Sequence, residues 1–155
     1  MTSVYVVRHA IAEQRDSERW PDDALRPLTK DGEKRFRDTA RGLRNIAPSI
    51  EAVLSSPYVR AWRTAEILHE ETGWPEPTPC EELEAERSPG DALGIVQGRG
   101  TLAVVGHEPF LSGFVGLLLD AGLSIDFKKG GVVLVEDGVL RWYATPKILV
   151  ALSRR

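Results

Sequence analysis

A run of β-branched and apolar residues, Val4-Tyr5-Val6-Val7, ends directly on the charged pair Arg8-His9, followed by the small residue Ala10. Such a run reads as a short buried strand. In α/β folds the residues just past a strand's carboxyl end are aimed into a cleft. An imidazole held there beside a guanidinium suits attack on phosphorus, because the cation neutralises part of the charge that the nucleophile must approach. Alone the pair is a weak signal, but two other segments supply what it lacks.

The first is Ser55-Ser56-Pro57-Tyr58-Val59-Arg60-Ala61-Trp62-Arg63-Thr64-Ala65, which follows the apolar strand Ala52-Val53-Leu54. It predicts a helix start, with Ser56 as N-cap and Pro57 at the first helical position. Arg60 then sits in the first turn, where the helix dipole and free N–H groups favour an anion. The second is Leu102-Ala103-Val104-Val105-Gly106-His107-Glu108-Pro109, another strand ending on a histidine. Two strand-end histidines and two arginines converging at one sheet edge would form a phosphoryl pocket.

In this order the segments resemble the Arg-His-Gly signature, the Ser-Pro-x-x-Arg-Ala-x-x-Thr-Ala helix start and the Gly-His strand end of the histidine phosphatase superfamily, also called phosphoglycerate mutase-like. The short chain, the Arg26-Pro27-Leu28-Thr29 segment and the Trp142–Lys147 ending are most similar to its small SixA-type phosphohistidine phosphatases. Ala10 stands where that superfamily usually has glycine, which argues against a backbone that needs positive φ there. The resemblance implies a three-layer α/β/α domain spanning residues 1–155, with a mostly parallel sheet and a C-terminal antiparallel hairpin.

Composition agrees. A chain of 155 residues fits one domain with a substantial core. Its net charge of -3, with Lys and Arg dispersed, gives no sign of a nucleic-acid surface. A single cysteine, Cys80, excludes an internal disulfide and suits a reducing compartment. The first apolar run is too short for a signal peptide or membrane span, so the expected compartment is the cytoplasm. The three histidines lack zinc-site spacing, so neither metal nor cofactor is expected.

Between the motifs, strand and helix patterns alternate. Glu13 to Arg26 reads as a loop beside the first motif. Thr29 caps a helix predicted over Lys30 to Arg44, weakened by Gly32 and Gly42. The helix from Pro57 stops near Thr72, before Gly73, and is expected to bury Val59, Trp62 or Ala65, and Ile67-Leu68. Pro75, Pro77 and Pro79 mark an extended connector. A short helix is predicted over Asp91 to Val96 and a buried one over Phe110 to Ala121. Val132–Val135 and Val139–Tyr143, joined by Asp137-Gly138, predict a hairpin.

The chemistry this implies has His9 as nucleophile, with Arg8, Arg60 and His107, the last as imidazolium, holding the non-bridging oxygens. The superfamily's usual glutamate after the second helix matches Glu82 best, with Glu84 and Glu86 as competitors for the role of proton donor. P–N cleavage needs less general-acid help than ester cleavage, so a phosphohistidine substrate depends on that donor least. Arg63 and His69 read as surface residues, and Arg26 as either a pocket residue or a loop anchor. With little length to spare for a lid, the pocket is expected to be open to a phosphohistidine on another protein, such as a signalling phosphotransfer domain, with phosphate as product. The alternatives are a phosphatase of small phosphorylated metabolites and, more remotely, a phosphate-dependent binding module without turnover. Neither nucleic acid nor membrane is an expected partner.

Overall fold

The computed structural model describes residues 2–122 and 124–154. Six strands form one sheet: β1 Ser3–Arg8, β2 Ala52–Ser55, β3 Pro77–Pro79, β4 Thr101–Gly106, β5 Val132–Glu136 and β6 Val139–Ala144. Their spatial order is β3-β2-β4-β1-β5-β6. The first four run parallel, and β5 and β6 add an antiparallel edge. Helices α1 (Lys30–Arg44), α2 (Val59–Thr72) and α5 (Pro146–Leu152) cover one face; α3 (Leu93–Val96) and α4 (Phe110–Leu119) cover the other. This is the three-layer α/β/α arrangement with a mostly parallel sheet and a C-terminal antiparallel hairpin that the sequence predicts.

The period-two alternation of β1 explains the two cores. Tyr5 and Val7 pack with Phe36, Ala40, Leu43, Ala65 and Leu149 on one side. Val4 and Val6 pack with Val96, Leu111, Phe114 and Val115 on the other. A strand with both faces covered must be apolar through its interior, as β1 is from Val4 to Val7.

The α1 boundaries agree with the sequence expectation, and Thr29 Oγ1 accepts the Gly32 N–H at 2.8 Å. The two glycines that weakened that helix mark close approaches. A Cβ on Gly42 would lie 1.7 Å from the Leu149 carbonyl oxygen, and one on Gly32 would lie 2.2 Å from that of Ile11. Helix α1 therefore touches α5 and the post-β1 loop through its backbone. The hairpin turn has positive φ at both Asp137 (48°) and Gly138 (77°), the geometry that matches the twist of its strands.

Three expectations need correction. Helix α2 starts at Val59 rather than Pro57, and it buries Ala61, Thr64, Ala65, Ile67 and Leu68 while Val59 is exposed. The proline-rich connector contains a parallel edge strand, β3, because only one of its sides must offer hydrogen bonds. Helix α5 was not anticipated, although Thr145 caps it and Pro146 opens it. Among the described residues, no helix is long and apolar enough to cross a membrane.

Register brings the motifs together. In the β1–β4 ladder Arg8 pairs with Gly106, so His9 and His107 each follow the end of a neighbouring strand. In the β2–β4 ladder Ser55 pairs with Val105, and Ser56 N–H donates to the Val105 carbonyl at 3.0 Å. Ser56 and Arg60 thereby arrive at the same sheet edge.

Candidate active site

A cleft of about 360 Å³ opens at this edge, and Arg8, His9, Arg60 and His107 all line it. The two imidazole rings are 5.3 Å apart, tilted by 56°. His9 Nδ1 lies 2.7 Å from the Ala10 carbonyl oxygen. A carbonyl can only accept, so Nδ1 carries the proton and Nε2 keeps its lone pair. Ala10 has no positive φ, which lets alanine replace glycine; its own N–H is bound by Thr64 Oγ1 at 3.0 Å.

His107 Nε2 lies 2.9 Å from Ser56 Oγ, which also accepts the Tyr58 N–H at 3.2 Å. Among the described residues the buried Ser56 hydroxyl has no other acceptor, so it donates to Nε2, which leaves the His107 proton on Nδ1. The N-cap of α2 is Tyr58, with no side-chain cap, so Ser56 does not cap the helix as predicted and its hydroxyl serves His107 and the Tyr58 N–H instead. The Tyr58 ring packs 5.1 Å from the His107 ring, and the Arg60 guanidinium lies over its face at 5.3 Å.

Both histidines are buried. Burial pushes the His9 imidazole down to about 3, and the charges of Arg60, Arg8 and Lys129 act the same way against the Ala10 hydrogen bond. Burial, with His9 and Arg60 adding to it, also holds His107 far below the ordinary histidine range. These surroundings favour the neutral, N–H-donating form of His107 over the imidazolium expected from sequence. Burial also lowers the Arg8 and Arg60 guanidiniums.

Three buried nitrogens of the cleft residues have no hydrogen-bond partner: Arg8 Nε, Arg60 Nε and His107 Nδ1. A buried donor left unmatched costs about 1–3 kcal/mol. Arg8, Arg60 and His107, which carry these nitrogens, line the same cleft as His9, whose Nε2 keeps its lone pair.

Glu82 is not brought there. The turn Glu81–Leu83 buries Leu83 and leaves the Glu82 carboxylate 3.2 Å from Cys80 Sγ, away from the cleft lining. Glu84 and Glu86 do not line the cleft either; Glu86 accepts a hydrogen bond from the Tyr58 hydroxyl. The carboxylates that do line it, Glu13 and Glu108, had no signal in the sequence. Both Glu108 oxygens are occupied by Ser112, at 2.7 and 2.6 Å. Arg26 turns out to have both of its candidate roles, lining the cleft while bonding Asp23 at 2.8 Å and the Glu13 carbonyl at 2.8 Å. Arg63 is ion-paired with Glu33 at 2.9 Å outside the cleft.

Residues 4–99 match the family model of the histidine phosphatase superfamily (branch 1). A protein of Picosynechococcus is 31% identical over 145 residues, covering 89% of this chain and 87% of its own. Among solved structures, the protein histidine phosphatase SixA complexed with tungstate superposes with a TM-score of 0.84 at 25% identity, covering 94% of this chain and 97% of that one. A phosphoglycerate mutase from Bacillus anthracis shares the fold, with a TM-score of 0.68 at 16% identity, covering 99% and 97%. The chain belongs to the histidine phosphatase superfamily and is a phosphatase of the histidine-nucleophile class. The matched residues end before His107, which joins the site only through the pairing of β4 with β1.

Proposed function

We propose that this phosphatase removes the phosphoryl group from a phosphohistidine displayed on another protein. His9 Nε2 forms a bond to phosphorus as the substrate's P–N bond breaks in line, and the departing imidazole nitrogen takes up a proton. Arg8, Arg60 and His107 hold the non-bridging oxygens. Water then attacks the phosphorylated His9, releasing inorganic phosphate and restoring the neutral ring. An arriving dianion offsets the cations around both histidines and raises their proton affinity again, so His107 can strengthen its hold as charge develops.

The observation that carries this reading is the convergence of Arg8, Arg60 and His107 on the cleft that His9 lines with a free lone pair on Nε2. Tungstate, bound by the similar SixA, is a tetrahedral oxyanion of the kind such donors fit. The choice of phosphohistidine rests on the leaving group. Of the glutamates considered from sequence none lines the cleft, and Glu108 is held by Ser112. Glu13, the other carboxylate on the cleft, has Arg19 as its ion-pair partner at 3.8 Å. A site whose two carboxylates both have protein partners suits P–N cleavage better than expulsion of an alkoxide.

The test is metal-free phosphate release from a phosphohistidine protein and from p-nitrophenyl phosphate, by wild type and His9→Ala. Faster release from the phosphohistidine protein, abolished in His9→Ala, is the expected result. Fast ester hydrolysis with an inert phosphohistidine would move the substrate to small phosphorylated metabolites. Near-normal turnover by His9→Ala would overturn the mechanism.

A further inference from the structure

We infer that Asp23 is a positioning residue that fixes the Arg60 guanidinium for the phosphoryl group and ties it to the loop bordering the cleft. The inference rests on the reading that Arg60 binds that group. Asp23 opens the one-turn helix Asp23–Leu25 in the loop between β1 and α1, where Asp22 Oδ1 accepts the Ala24 N–H at 3.0 Å. Its backbone carbonyl accepts from Arg60 Nη1 at 2.7 Å and its Oδ2 from Nη2 at 3.0 Å. Each terminal nitrogen of a side chain only 3% exposed thus gives one of its two N–H groups to one residue. A planar guanidinium gripped at two points cannot swing, and its Nε–H and the second N–H of each terminal nitrogen are not used by Asp23.

The other carboxylate oxygen, Oδ1, accepts from Arg26 Nε at 2.8 Å, and Arg26 Nη1 donates to the Glu13 carbonyl at 2.8 Å. Arg26 and Glu13 both line the cleft. One carboxylate therefore joins a residue on α2 to the cleft-bordering loop, and the bridge between Ala12 and Leu28 closes that loop at its base. Its charge has a second effect. Arg60 and Arg26 repel each other, and Asp23 lies between them as the compensating anion. The Arg26 hydrogen bond holds the Asp23 carboxyl below its ordinary range, so it is ionised at neutral pH.

A carboxylate on a phosphate-binding arginine could instead compete with the substrate, and the two roles give opposite signs. Positioning predicts that Asp23→Ala lowers kcat on the order of 10²-fold, the scale of a misplaced catalytic group. It also predicts weaker inhibition by inorganic phosphate. Competition predicts tighter phosphate inhibition. Asp23→Asn keeps the backbone carbonyl and a side-chain acceptor, so it should recover part of kcat. Because Asp23 acts through Arg60, adding Asp23→Ala to Arg60→Ala should cost little more than Arg60→Ala alone. The cycle is run on the faster of the two substrates above, with thermal melts confirming that each variant folds. If Asp23→Ala alone unfolds the protein, Asp23→Asn in the same cycle and phosphate titration decides. Additive losses, or tighter phosphate binding without Asp23, would overturn the inference. A small loss in folded Arg60→Ala would instead overturn the role given to Arg60, and the inference would fall with it.

Discussion

Replacing Ser56 by alanine tests the assignment of the His107 proton most directly. Ser56 is fully buried, and its hydroxyl connects His107 Nε2 at 2.9 Å with the Tyr58 N–H at 3.2 Å. The alanine variant leaves both groups without a partner, at about 1–3 kcal/mol each. The consequence for catalysis is separate from that cost. With Ser56 present, Nε2 is an acceptor and Nδ1 carries the proton. Without it, the bias of about 1–2 kcal/mol that one such hydrogen bond supplies is gone, and the ring is free to turn. At 1.36 kcal/mol per factor of ten, the loss of this bias and of ring orientation should reduce kcat about 5- to 30-fold. Steady-state kinetics at 25 °C, alongside urea unfolding of the same preparations, would separate the two effects. A variant that is less stable but keeps wild-type kcat would refute the argument, leaving Ser56 with a purely structural role in the turn before α2.

Acid should destabilise the protein before its carboxylates titrate. The folded-state values of His9 and His107 lie below the ordinary 6.5, so the unfolded chain takes up protons that the native sites refuse. The stabilising contribution is fully present above about pH 6.5 and is lost as pH falls toward the folded values, at ~1.36 kcal/mol per proton per pH unit. Urea midpoints between pH 7 and 5 should therefore fall, and fall less steeply in His107→Asn; parallel slopes would contradict the burial argument. Gly42→Ala places a Cβ 1.7 Å from the Leu149 carbonyl, so α1 and α5 must separate. Despite the ~1 kcal/mol helix-propensity gain of alanine, chemical denaturation should show a net loss of about 2 kcal/mol or more. Glu82→Gln, altering a side chain outside the cleft, should leave kcat on both substrates within about twofold of wild type; a larger loss on the ester alone would restore Glu82 as a proton donor.

The sequence by itself determined the parts of this protein whose causes are local. The α1 boundaries follow from Thr29 and the helical period, the hairpin from Asp137-Gly138, and the buried strands from unbroken apolar runs. Arg8, His9, Arg60 and His107 were legible because each lies at a strand end or helix start with its own signature. The interactions between these elements were not legible, because they depend on distances across the chain. Gly32 and Gly42 looked like helix weaknesses until the Ile11 and Leu149 carbonyls were seen against them. The His107 proton is placed by Ser56, 51 residues away, and Arg60 is gripped by Asp23, 37 residues away. Glu82 had a family position in its favour, but the turn that buries Leu83 points it elsewhere. Local sequence sets strand ends and helix starts through backbone preference and period. Only the ladder register and the path of the loop decide which buried donors are satisfied by protein and which are left for a phosphoryl group.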